Sequence, residues 1–166
     1  MPDTAEYLAR IREYSQNQDP LVSQGETAAV LSELIASQSF ERLNRRPAKD
    51  KWSVAEILAH LAEDEIATAW RYRQMVEHSG TELAGFDQDL WSRVGDYASR
   101  PPQESLDLFR LLRAANLQFL RKLSAEQWEC FGIHAERGRI SVRDLARHMA
   151  GHDANHVEQI RRLLLS

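Results

Sequence analysis

The stretch "KWSVAEILAHLAEDEIATAWRYRQMVEH", residues 51–78, decides the fold. Ser53, with Glu56 three residues later, forms a capping box, so a helix starts at Val54. Val54, Ile57, Leu58, Leu61, Tyr72, Met75 and Val76 then recur at helical spacing and make one apolar stripe. Neither Gly nor Pro interrupts the run until Ser79-Gly80, where Gly80 suits a helix stop. A helix this long with a single apolar face has to bury that face against other helices.

Three further segments of the same kind flank it. One covers roughly residues 20–41, with Val30, Leu31, Leu34 and Ile35 at helical spacing. Another, about 103–123, follows Pro101-Pro102. The last begins after Ser141, where Asp144 stands in the capping-box place, and runs to about Leu165. A short amphipathic helix near residues 4–14 (Tyr7, Leu8, Ile11) precedes them. The linker 80–101 is long for a small domain and carries Phe86, Leu90, Trp91 and Tyr97, so it is expected to cover something or to serve function. The piece "WECFGIHAERGRI" (128–140) reads as an irregular loop or a small hairpin, and no strand run is long enough for a sheet. The expectation is one all-α domain over 1–166: a four-helix bundle with a short extra N-terminal helix and a long linker between its second and third long helices.

Composition narrows the function. A chain of 166 residues, 43% hydrophobic and 28% charged, can build one ordinary globular core. A formal net charge of −4 without a basic run speaks against nucleic acid and anionic membranes as partners. The single Cys130 excludes an intrachain disulfide and a multi-cysteine zinc site. The polar start "MPDTAEYLAR" has no apolar core of a signal peptide, and no apolar stretch is long enough to span a bilayer. A cytoplasmic protein is expected.

Half of the six histidines lie in "ARHMAGHDANHVEQI", residues 146–160. At about 100° per residue, His156 falls inside the apolar stripe of Val142, Leu145, Met149, Ile160, Leu163 and Leu164. His152 falls at its edge, and His148 lies further round toward the polar side. Residues four apart sit ~6 Å apart along the axis and can close on one ion, whereas His148 and His156 are ~12 Å apart. The pair His152/His156 is therefore the better candidate for metal ligation, with His148 as a neighbour. Satisfied core or surface histidines are the structural alternative. Gly151, mid-helix at a cost of roughly 1 kcal/mol relative to Ala, suggests close packing.

A metal needs at least a third protein ligand. His60, two turns into the second long helix, is rigidly placed, while His78 ends that helix and His134 sits in a loop, both more naturally at the surface. Asp64 follows His60 by one turn. Glu65 projects into the apolar stripe, which is costly for an unpaired carboxylate. It either meets a metal, its water or a ligand N–H, or pairs with an Arg on a facing helix, or reaches solvent.

"RRPAKDKWSVAEILAHLAEDE" (45–65) resembles the first signature of the DinB/YfiT-like family, in its DinB_2 branch, and "GHDANHVEQI" (151–160) resembles the second. "LSAEQWECFGIHAERGRISVRDLARHMAGHD" resembles the branch's approach to its last helix. The resemblance implies a four-helix bundle, often a homodimer, with one divalent metal, often nickel or zinc, on three histidines. Carried over by position, these are His60, His152 and His156. It further implies a thiol-dependent S-transferase or a metal-dependent hydrolase, acting on a small molecule with a low-molecular-weight thiol as a possible co-substrate. Asp64 and Glu65 are then the nearest candidates for orienting a ligand or moving a proton. Trp52, Trp91 and His148 are candidate pocket residues, Trp52 being more simply the anchor of its helix. Trp70 and Tyr7 are candidates for a dimer face. The alternatives are a metal-binding or stress-related binding protein without turnover, and a helical dimer whose histidines are structural.

Overall fold

The capping box at Ser53 forms as expected. The Glu56 carboxylate accepts the Ser53 N–H at 2.9 Å, and the Ser53 hydroxyl accepts the Glu56 N–H at 3.2 Å. Arg46, from the preceding loop, donates to the same carboxylate at 2.8 Å. Burial opposes ionisation of Glu56, but the hydrogen bonds from Arg46 and Ser53 prevail and hold its carboxyl below the usual range. The computed structural model describes residues 4–165.

Eight helices and three short strands follow in chain order. They are α1 (Thr4–Ser15), α2 (Pro20–Ile35), α3 (Phe40–Asn44), α4 (Val54–Glu77), β1 (Thr81–Leu83), α5 (Gln88–Val94), α6 (Pro102–Leu120), α7 (Ala125–Trp128), β2 (Phe131–His134), β3 (Gly138–Ser141) and α8 (Val142–Leu165). The long helices α2, α4, α6 and α8 form the bundle, and α1 lies along α8. Asp19 caps α2, with Pro20 at its first position, and the Ser141–Asp144 pair caps α8 reciprocally. No helix of the described residues is long and apolar enough to cross a membrane.

Two expectations need correction. The segment 20–41 is not one helix: α2 stops at Ile35, and Ser39 accepts the Arg42 N–H at 3.2 Å to cap the separate α3. A good N-cap after the polar stretch at residues 36–38 starts a new helix there. There is also a three-stranded sheet, in the order β1-β2-β3. β1 pairs parallel with β2 (Thr81↔Gly132, Leu83↔His134), and β2 pairs antiparallel with β3 (Phe131↔Ser141, His134↔Gly138). Gly80, at φ +94°, turns the chain out of α4 and donates its N–H to Phe131 O at 2.7 Å. The linker 80–101 is thus built of β1, α5 and a 3₁₀ turn over Tyr97–Ser99 whose Tyr97 is buried.

The core has two apolar ends. Leu31, Ile57, Leu58, Leu61, Phe109 and Ile160 pack at one, and Tyr72, Met75, Leu120, Val142, Leu145 and Met149 at the other. On α4 and α8 the residues between these clusters are polar and buried: His60, Asp64, Glu65, His152, Asp153 and His156. α1 crosses this layer closely. A Cβ placed on Gly151 would meet the Ile11 backbone oxygen at 2.1 Å, so glycine is what lets the two helices touch.

Candidate metal centre

The three histidines expected as ligands come together in this polar layer. His152 Nε2 lies 3.2 Å from His60 Nε2 and 3.2 Å from His156 Nε2, and donor atoms of all three fall within 4.8 Å of one another. α4 supplies His60, two turns past its cap, and successive turns of α8 supply the other two. All three are buried. Burial, and then the neighbouring imidazoles, hold His60 and His152 well below the usual histidine range. Burial lowers His156 to about 4. The three rings are neutral at pH 7 and offer lone pairs rather than charge.

The donor set fits a divalent ion. Gln159 Oε1 lies 3.0 Å from His156 Nδ1 and, being an acceptor, fixes the ring proton there and leaves Nε2 bare. On the far side of His152, Asp64 Oδ2 stands 3.7 Å from Nδ1, a nitrogen buried without a hydrogen-bond partner. A proton on that nitrogen, facing the carboxylate, leaves the His152 Nε2 bare as well. Bare nitrogens at 3.2 Å repel unless a cation lies between them. Tetrahedral metal–imidazole bonds of ~2.0–2.1 Å separate two ring nitrogens by about 3.3 Å, close to what is found. Three histidines leave coordination positions open, and His60, Asp64 and His152 line a cleft of about 250 Å³.

The other residues singled out in the sequence fall as follows. Asp64 reaches the cleft, and burial followed by the Glu65 charge pushes its carboxyl up to about 7. Glu65 does not face the histidines: it accepts from Arg113 at 2.8 Å and from Asn116 at 2.9 Å, the facing-helix arginine pairing. The Trp52 ring lies 4.9 Å from that of His60, so this helix-start residue also walls the site. Trp91 stacks on Phe86 at 4.5 Å, and the linker reaches the cleft through Gly85, Phe86 and Gln88 instead. His148 lines the cleft with its ring 6.3 Å from that of His152, outside the converging trio. His134 lines it too, rather than lying at the surface. Tyr7 turns into the cleft, whereas Trp70 is exposed.

Behind the histidines lies a buried network of which sequence reasoning offered only the Glu65–arginine pairing. Arg113 of α6 grips Asp153, the neighbour of His152, and Glu65, the neighbour of Asp64. It also donates to Gln24 O at 3.0 Å, while Thr27 donates to Asp153 at 2.9 Å. The signal was present: Arg113 lies on the Leu106–Phe109–Leu117–Leu120 face of α6, where an arginine needs buried carboxylates.

A helical bundle that gathers three neutral imidazoles, two of them at the wall of a cleft, defines an open-site protein able to hold a divalent metal. The chain belongs to the DinB superfamily, whose family model matches residues 25–160. A protein of Oceanobacillus iheyensis named "Putative metal-dependent hydrolase" is 21% identical over 131 residues, 79% of this chain and 75% of that protein. YfiT of Bacillus subtilis, with the same description, is 22% identical over 139 residues, 83% of this chain and 78% of that one. The solved YfiT structure, described as a probable metal-dependent hydrolase with an unusual four-helix bundle topology, matches at TM-score 0.81 and 20% identity. It covers 87% of this chain and 83% of that chain.

Proposed function

We propose that the chain is a metal-dependent enzyme, with nickel or zinc on His60, His152 and His156, that turns a water or a low-molecular-weight thiol against a small electrophilic substrate. One observation carries this reading: ring nitrogens of three buried histidines converge beside a cleft that His60 and His152 line together with the Asp64 carboxyl, which is poised near neutrality. A divalent ion there supplies Lewis acidity, which makes a nucleophile available at neutral pH. Asp64 accepts the proton that the nucleophile releases, and its elevated affinity suits a group that takes up and returns a proton near pH 7. Gln159 keeps His156 in the tautomer that presents Nε2 to the other two histidines. Trp52 packs on His60 and keeps water from its outer face.

Metal analysis of the purified protein, followed by turnover assays, tests this. The expected result is about one ion per chain, lost in His60→Ala and His152→Ala, with metal-dependent turnover of an ester, an amide or a thiol–electrophile pair. Asp64→Asn is expected to keep the ion and lose most of the rate. Stoichiometric metal without turnover across the panel would leave a metal-binding protein, and no metal would refute the reading altogether.

A further inference from the structure

Two arginines line the cleft, Arg71 from α4 and Arg137 from the turn between β2 and β3. Both are half-buried, and neither has a carboxylate within ion-pair distance among the described residues. Arg46, Arg100, Arg113 and Arg143, by contrast, each have one. Arg71 is held in place by the linker: it donates to Ala84 O at 2.7 Å, and its guanidinium lies 5.4 Å from the Phe86 ring centre. Its other N–H groups make no hydrogen bond among the described residues, and Asp64 acts on it only beyond ion-pair distance. Burial, and then the Arg71 guanidinium, disfavours the charge on Arg137, and burial followed by both guanidiniums lowers His148 and His134. The acids at the cleft are Asp64, on the histidine side, and the exposed Glu136.

The cleft also continues outward. A larger cavity of about 950 Å³ shares Leu8, Glu136, Arg137 and His148 with it, so Arg137 stands at the junction. That cavity adds Arg12, Arg139 and Arg147, against Asp144, which is occupied in capping α8. In a chain of net charge −4, five arginines across these two adjoining cavities, against Asp64, Glu136 and Asp144, are a local reversal of sign. Partly buried cations without partners are costly, and a guanidinium fork matches the two oxygens of a carboxylate or phosphate.

The geometry points to a substrate or thiol co-substrate that carries an oxyanion, a carboxylate or a phosphate, clamped by Arg71 and Arg137 so that its reactive end lies at the three-histidine wall. This specificity rests on the proposed reaction site but is measured apart from it. The test is calorimetric titration of the purified protein with succinate, inorganic phosphate and neutral succinamide, alongside metal content. Succinate or phosphate is expected to bind and succinamide not to. Arg71→Gln and Arg137→Gln should each weaken anion binding at least tenfold with metal content unchanged, and Arg73→Gln, an exposed arginine on the same helix, should not. Tighter succinate marks a carboxylate substrate, and tighter phosphate a phosphorylated one. Binding that is unaffected in both variants, or equal for succinamide, would overturn the clamp while leaving the metal reading standing. Loss of the ion in His152→Ala together with retained anion binding would show the two to be independent and would support it.

Discussion

Gly151→Ala tests the contact on which the cleft depends. The new Cβ would lie 2.1 Å from Ile11 O and 2.9 Å from Ile11 C, both backbone atoms that cannot swing aside. Ordinary contact requires α1 to retreat by about 1 Å or more. Ile11 is only 1% exposed, and burying such a side chain contributes roughly 1.5–3 kcal/mol. Alanine returns roughly 1 kcal/mol in the interior of α8. The expected net loss is about 0.5–2 kcal/mol, a fall in Tm of about 1–8 °C for a domain of this size. Tyr7 and Leu8 line the cleft from α1, so its loosening should also expose the segment before α2 to protease. Gly25→Ala is the control: its Cβ would meet Leu117 Cδ1 at 3.8 Å, ordinary contact, so the same substitution on α2 should stabilise. Thermal melts and limited proteolysis of both variants decide the matter. A Tm raised in Gly151→Ala, with α1 still protected, would refute the reasoning.

Arg113→Met strands Glu65 and Asp153 in the core and should cost about 3–5 kcal/mol in denaturant titration, most of it recovered when Glu65→Gln and Asp153→Asn are added. Gln159→Leu removes the acceptor behind His156 and should weaken metal binding by about 10–100-fold, read by chelator competition, with the helical CD signal unchanged. Glu56 has a folded-state pKa below its unfolded value, so its contribution is full above pH ~4.3 and fades as the pH falls through the lower folded value. Glu56→Gln should therefore cost about 1 kcal/mol at pH 7, and the gap to the parent should narrow as the pH falls through the lowered folded-state value.

Caps and periodicity located α4 and α8 in the sequence because both helices carry their start signals in their own first turns, Ser53–Glu56 and Ser141–Asp144. The split after Ile35 was less visible, since no Gly or Pro marks it and Ser39 looks like one more surface position. The sheet was not legible: strands of three and four residues show no alternation, and the parallel pairing joins residues about fifty apart in the chain. The His152/His156 pair followed from helix geometry, and the resemblance added His60. Asp64 and Glu65 are adjacent, so only the fold tells which one faces the cleft and which one meets Arg113. The arginine wall is assembled from α1, α4, α8 and the hairpin, and no local pattern announces it.

The convergence of His60 with His152 spans 92 residues of chain. An ion held between them would be a removable cross-link, closing a loop over more than half of the molecule and joining its second long helix to its last. Each tenfold rise in free metal above the dissociation constant would add about 1.4 kcal/mol to the folded state. The fold's lifetime in a cell would then follow metal supply, and a chain starved of its ion would be the first to unfold and be cleared.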